Sequence, residues 1–171
     1  GNNKIIFNAA VYLFGYIKSA GISRLSIKMG GLAEKAESSN ISYCFAELSV
    51  NTSSGMFAKT KSCNIVNCLS SAVNISCGSR MVGGIAGHAQ NTNIISCRTY
   101  GKMSGGGNNG YTTGKNLHCG GVVGLLENGS VKSCSSQCTI NGGVGVKTSP
   151  EYSVGGIIGG GTGYSKIINC E

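Results

Sequence analysis

The residues of this 171-residue chain that could do chemistry are nine cysteines, two histidines and six glutamates; aspartate is absent. A thiolate nucleophile needs a base within reach, usually histidine. His118 adjoins Cys119, but neighbours along a strand point to opposite faces, so the two are not expected to pair. His88 is expected at a solvent-facing turn. Zinc coordination is not indicated: no CxxC occurs, and the closest pairs, Cys63/Cys68 and Cys134/Cys138, lack the usual ligand spacing. Polysaccharide cleavage relies on paired carboxylates, and calcium on several oxygen ligands. Glu34, Glu37, Glu47, Glu127, Glu151 and Glu171 show no shared phase. Ser104–Gly107 is glycine-rich, but no GK[ST] follows to make a phosphate cradle. No catalytic residue, metal or cofactor is expected, and the chain reads as non-enzymatic.

The spacing of the cysteines leads to the elements that position them. Gly30-Gly31-Leu32 precedes Ile41-Ser42-Tyr43-Cys44, and Ser54-Gly55-Met56 precedes Ile65-Val66-Asn67-Cys68. Gly83-Gly84-Ile85-Ala86-Gly87 precedes Ile94-Ile95-Ser96-Cys97, and Gly120-Gly121-Val122-Val123-Gly124 precedes Val131-Lys132-Ser133-Cys134. Gly155-Gly156-Ile157-Ile158-Gly159 precedes Ile167-Ile168-Asn169-Cys170. A degenerate copy opens the chain, with Leu25 in the cysteine slot. The third position is apolar throughout: Leu13, Leu32, Met56, Ile85, Val122, Ile157.

After the cysteine, apolar residues alternate with period two, as in Leu48 and Val50 or Cys138 and Ile140. That is the signature of a strand with one buried face. A unit this small cannot bury its own apolar face, but stacked units can. The expected fold is all-β, a right-handed parallel β-solenoid (β-helix) of about six coils. The slots fall 19, 24, 29, 37 and 36 residues apart, so the excess over one coil must loop out, chiefly at Ser104–His118 and Asn141–Ser153. The rival, a sandwich of antiparallel hairpins, would not require one residue type at one phase in every unit. The first two cysteine-bearing units lack the second glycine and are expected to turn differently.

In this arrangement Cys44, Cys68, Cys97, Cys134 and Cys170 form an inward ladder. In-register neighbours stand about 4.8 Å apart, whereas a disulfide wants Cβ atoms about 3.8 Å apart, so the row is expected to be reduced thiols packed as small hydrophobes. Cys119 occupies the slot of Val82 and Val154, and Cys138 that of Leu48. Cys63 and Cys77 lie off the apolar pattern and are candidates for a disulfide or a reactive exposed thiol. Asn40, Asn51, Asn74 and Asn128 head glycosylation sequons.

The net charge is +8, which suits an acidic partner such as an anionic glycan, a membrane surface or an acidic protein polymer. The basic residues are scattered singly, with Lys59 and Lys61 the nearest thing to a cluster. No basic arm with interleaved aromatics points to specific nucleic-acid binding, and no long apolar run points to membrane insertion.

Val82-Gly83-Gly84-Ile85-Ala86-Gly87, followed by Ile94 to Gly105, resembles the GLUG repeat: a Gly-apolar-any-Gly core, then an "isnCyatG.v.G" stretch. Gly121–Gly124 and Gly156–Gly159 fit the core equally well. The likeness spans 29–171 as five repeats, with 1–28 a degenerate first coil, and the 171 residues read as one repeat domain from a longer chain. The resemblance implies a stalk or scaffold in a large surface protein or adhesin and transfers no catalytic residue. The expected function is a non-enzymatic structural or adhesive segment, at the cell surface or secreted. It would bind a protein or glycan partner through outloops or a solenoid face, beside flanking repeats of its own chain. The alternative is an intracellular repeat protein docking its basic surface on an acidic polymer such as a cytoskeletal filament.

Overall fold

A computed structural model of the chain describes residues 4–7, 11–48, 54–77, 81–105, 117–141 and 152–171. Every regular element among them is a strand, and every strand pairing is parallel. The chain is a parallel β-solenoid. Each coil contributes one strand to each of three six-stranded sheets, and neighbouring strands in a sheet come from successive coils.

Sheet 1 contains Tyr12–Lys18, Gly31–Glu37, Phe57–Lys61, Ala86–Gln90, Val123–Glu127 and Ile158–Thr162. Sheet 2 contains the three-residue strands Gly21–Ser23, Asn40–Ser42, Asn64–Val66, Asn93–Ile95, Ser130–Lys132 and Lys166–Ile168. Sheet 3 contains Lys4–Phe7, Leu25–Lys28, Phe45–Leu48, Leu69–Cys77, Arg98–Gly105 and Ser135–Asn141. A small fourth sheet, Met81–Gly83, Leu117–Gly120 and Tyr152–Gly155, joins the coils whose cores run Gly84–Gly87, Gly121–Gly124 and Gly156–Gly159.

The core is a set of rows of like residues. Ile41, Ile65, Ile94 and Val131 stack along the inner side of sheet 2 and are at most 1% exposed. Each contributes roughly 2 kcal/mol by leaving water. Leu32, Met56, Ile85 and Val122, the third repeat position, are fully buried beside them. In the last coil the same row reaches Ile167, which is 50% exposed because it is covered from one side only.

Two corners recur at fixed phases. Ser19, Ser38, Ser62, Asn91 and Asn128 turn the chain from sheet 1 to sheet 2, and Arg24, Tyr43, Asn67, Ser96, Ser133 and Asn169 turn it from sheet 2 to sheet 3. All have φ near +50°, a conformation disfavoured for most side chains by about 1–2 kcal/mol. Stacking offsets the cost, because every one of these residues before the last coil donates its N–H to a carbonyl of the next coil, such as Ser96 to Lys132 at 2.9 Å.

Candidate functional site

The cysteine row lies immediately after the second corner. Cys44, Cys68, Cys97 and Cys134 are free and at most 2% exposed, and Cys170 is free and half-buried in the last coil. The packing expectation holds, but the thiols do more than fill space. Each sulfur lies 3.3–3.5 Å from the carbonyl two residues back, bridging the left-handed residue between them. Two of them also accept from the coil before: Cys68 N–H donates to Cys97 Sγ and Cys97 N–H to Cys134 Sγ, both at 3.4 Å. The row is a hydrogen-bonded corner brace.

The first corner has the same chemistry in oxygen. Ser39 Oγ and Thr92 Oγ1 donate to the carbonyls two residues back, at 2.8 and 2.9 Å, and accept N–H groups from Ala20 and Cys63. Cys63 occupies this same slot, donating its thiol to the Lys61 carbonyl at 3.3 Å. It is free and 1% exposed. Cys63 is therefore neither disulfide-bonded nor an exposed thiol, contrary to the sequence expectation; it substitutes for the hydroxyl of a corner brace. The side chain of Cys77 lies outside the described residues, as does Cys77's proposed role.

Protonation follows burial and neighbours. Burial pushes the Cys63 thiol up. Hydrogen bonds with Cys134 and Cys68, and then burial, push Cys97 far above the ordinary thiol range; Cys44 rises through its bond with Cys68. Cys68, hydrogen-bonded by Cys44 and Cys97, and Cys134, hydrogen-bonded by Cys97, are lowered.

His118 and Cys119 both lie buried on the strand Leu117–Gly120. Cys119 falls in register with Val82 and Val154, and Cys138 shares a row with Gly101, Ala72 and Leu48. His118 finds an unforeseen partner, with Nδ1 2.5 Å from Ser153 Oγ on the adjacent strand. Asn40 and Asn128 are solvent-facing, as sequons require, while Asn51 and the Asn74 side chain lie outside the described residues. The outloop interiors, 106–116 and 142–151, do as well.

The outer face of sheet 1 is the most distinctive surface. Tyr16, Lys35, Lys59, His88 and Leu125 form one row across five coils. Lys18, Glu37, Lys61, Gln90 and Glu127 form the parallel row two residues along. Lys35, Lys59, Thr60, Lys61, His88 and Gln90 line a groove of about 340 Å3. His88 stands on a strand here rather than at the expected turn, with Nε2 3.2 Å from Glu127 Oε2. That carboxylate also accepts from Gln90 Nε2 at 3.2 Å. Glu37 accepts from the Tyr16 hydroxyl at 2.7 Å and pairs with Lys35 at 3.6 Å. The Tyr16 hydrogen bond, helped by Lys35, Lys18 and Lys61, holds its carboxyl below the usual carboxylate range. Lys59 and Lys61 form no ion pair among the described residues.

These basic residues look scattered in the chain because coils differ in length. Counting back from each cysteine slot would have found them: Tyr16, Lys35, Lys59, His88 and Leu125 all stand nine residues before it, and the parallel row seven. The same count corrects the reading of the glutamates, since Glu37 and Glu127 do share a phase. No family model, curated protein or solved structure matches the chain.

Proposed function

We propose that this chain is a structural and adhesive scaffold, a rigid solenoid segment that holds a binding face and two outloops at fixed spacing. One observation carries the reading: every described coil repeats the parallel stacking, so side chains separated by 19 to 37 residues in sequence form straight rows. Such rows make extended binding surfaces. The likeness to GLUG repeats supports a place at the cell surface or in secretion. Solenoids serve many ends, so the function rests on the face and not on the fold.

The test is retention of beads coated with the folded protein on cell or matrix layers. Folded protein should hold beads well above a heat-unfolded control, and replacing outloop or sheet 1 residues should lower retention. Retention no better than the unfolded control contradicts the adhesive reading.

A second reading draws on eight cysteines that stand outside disulfides. Free thiols suit a reducing compartment, where the basic surface would dock on an acidic filament. Co-sedimentation with an acidic filament in reducing buffer, and none with matrix, would favour this reading.

A further inference from the structure

We infer that the outer face of sheet 1 binds an extended acidic polysaccharide along the solenoid axis, through Lys35, Lys59 and Lys61 with His88, Gln90 and Tyr16. This rests on the scaffold reading above and names the chemistry of its binding face.

The first argument is charge complementarity. Lys35 and Lys59 are direct register neighbours on adjacent strands, and Lys61 stands two residues from Lys59. Like charges facing each other across strands oppose folding. Within this face Glu37 is engaged by Tyr16 and Lys35, and Glu127 by Gln90 and His88. Glu34, also exposed, lies towards Tyr12. Lys59 faces solvent with no ion pair among the described residues, and Lys61, also exposed, is offset only in part by Glu37 on the adjacent strand. An anionic ligand removes that repulsion.

The second argument is spacing and donor type. Coils rise by about 4.8 Å, close to the advance of one sugar ring in an extended glycan, so the rows offer a repeating set of contacts per residue of ligand. Lysines are point charges on flexible stems, suited to sulfate or carboxylate groups on a sugar chain. The Gln90 amide and the Tyr16 phenol supply neutral hydrogen-bonding groups of the kind that meet ring hydroxyls. Nucleic acid is less well matched: the face has no arginine and one tyrosine, against the stacking platforms and guanidinium groups used for nucleic-acid strands.

The experiment is calorimetric titration of the folded protein with heparin, which carries sulfate and uronate groups. Binding should weaken by about tenfold or more between 50 and 200 mM NaCl, because bound counterions are released. Lys59→Gln with Lys61→Gln should lose about tenfold at 50 mM and flatten the salt dependence. Lys102→Gln with Lys132→Gln makes the same charge change on sheets 3 and 2 and should lose less than about twofold. Circular dichroism and melting confirm that both variants fold. Equal losses from both doubles, or no binding at 50 mM, overturn the inference. So does binding of poly-glutamate or duplex DNA as tight as that of heparin. Absent heparin binding with bead retention intact would sink the glycan inference alone; loss of retention by the folded parent protein would sink the scaffold.

Discussion

At the residue scale, the cysteines matter for their hydrogen bonds as much as for their apolar volume. Cys97 Sγ donates to the Ile95 carbonyl and accepts from Cys68 N–H. Cys97→Ser preserves both roles, as Ser39 and Thr92 do at the other corner. Cys97→Val fills the volume but strands the Cys68 N–H, which costs about 1–3 kcal/mol when buried. Chemical denaturation should therefore rank valine below serine; the opposite ranking would mean the row is only hydrophobic packing. Cys63 adds a pH dependence. Its folded thiol is raised by burial, so the folded chain keeps a proton that the unfolded chain releases above about pH 8.5. Its stabilising contribution is complete below that pH and is lost as pH rises further. Between pH 7.5 and 9.5 the parent should lose more melting temperature than Cys63→Thr, and native alkylation at pH 8 should spare Cys63. Equal losses, or prompt alkylation, would place the thiol at the surface. The ladder was legible because its five members share a phase. Cys63 was misread because its slot holds Ala20, Ser39, Thr92, Gly129 and Ser165 in the other coils, so no apolar pattern marks it.

At the scale of the element, the glycine pairs are set by the next coil. A Cβ at Gly84 would lie 2.6 Å from Thr99 Cγ2 of its own coil and 2.7 Å from the Gly121 carbonyl oxygen of the next, and one at Gly121 would overlap Ser136 Oγ and the Gly156 carbonyl oxygen. At Gly156, the same phase in the last coil, a Cβ would meet nothing within 4 Å. Gly121→Ala should destabilise by about 1–3 kcal/mol or more, and Gly156→Ala should change stability by less than about 0.5 kcal/mol. Equal effects would show that the glycines answer to local turn geometry and not to stacking. Strand position was readable from period two and the recurring Ile/Val. The left-handed corners were not, because Arg24, Tyr43, Asn67 and Ser96 share a conformation without sharing a side chain. Backbone hydrogen bonds between coils select that conformation, and residue type leaves little trace of it.

Across the whole molecule, the fold turns a variable sequence into straight rows. Insertions change the distance between repeats along the chain and leave their register in space intact. The sheet 1 face escaped a linear reading for this reason, although the anchors that reveal it were present. The exposed asparagines of sheet 2 follow the same rule: Asn93 Nδ2 donates to Asn64 Oδ1 at 3.2 Å, and Asn64 Nδ2 to Asn40 Oδ1 at 3.1 Å. Each coil supports its neighbours through amide, thiol and aliphatic rows together, so the chain's properties depend on parallel, in-register stacking. The most direct measurement is a set of nuclear Overhauser contacts in methyl-labelled protein. Parallel stacking predicts methyl contacts from Ile41 to Ile65, Ile65 to Ile94, and Ile94 to Val131, with the matching amide contacts in the same order. Absence of that series, with Hα–Hα contacts between antiparallel neighbours in its place, would contradict the solenoid and the binding face built on it.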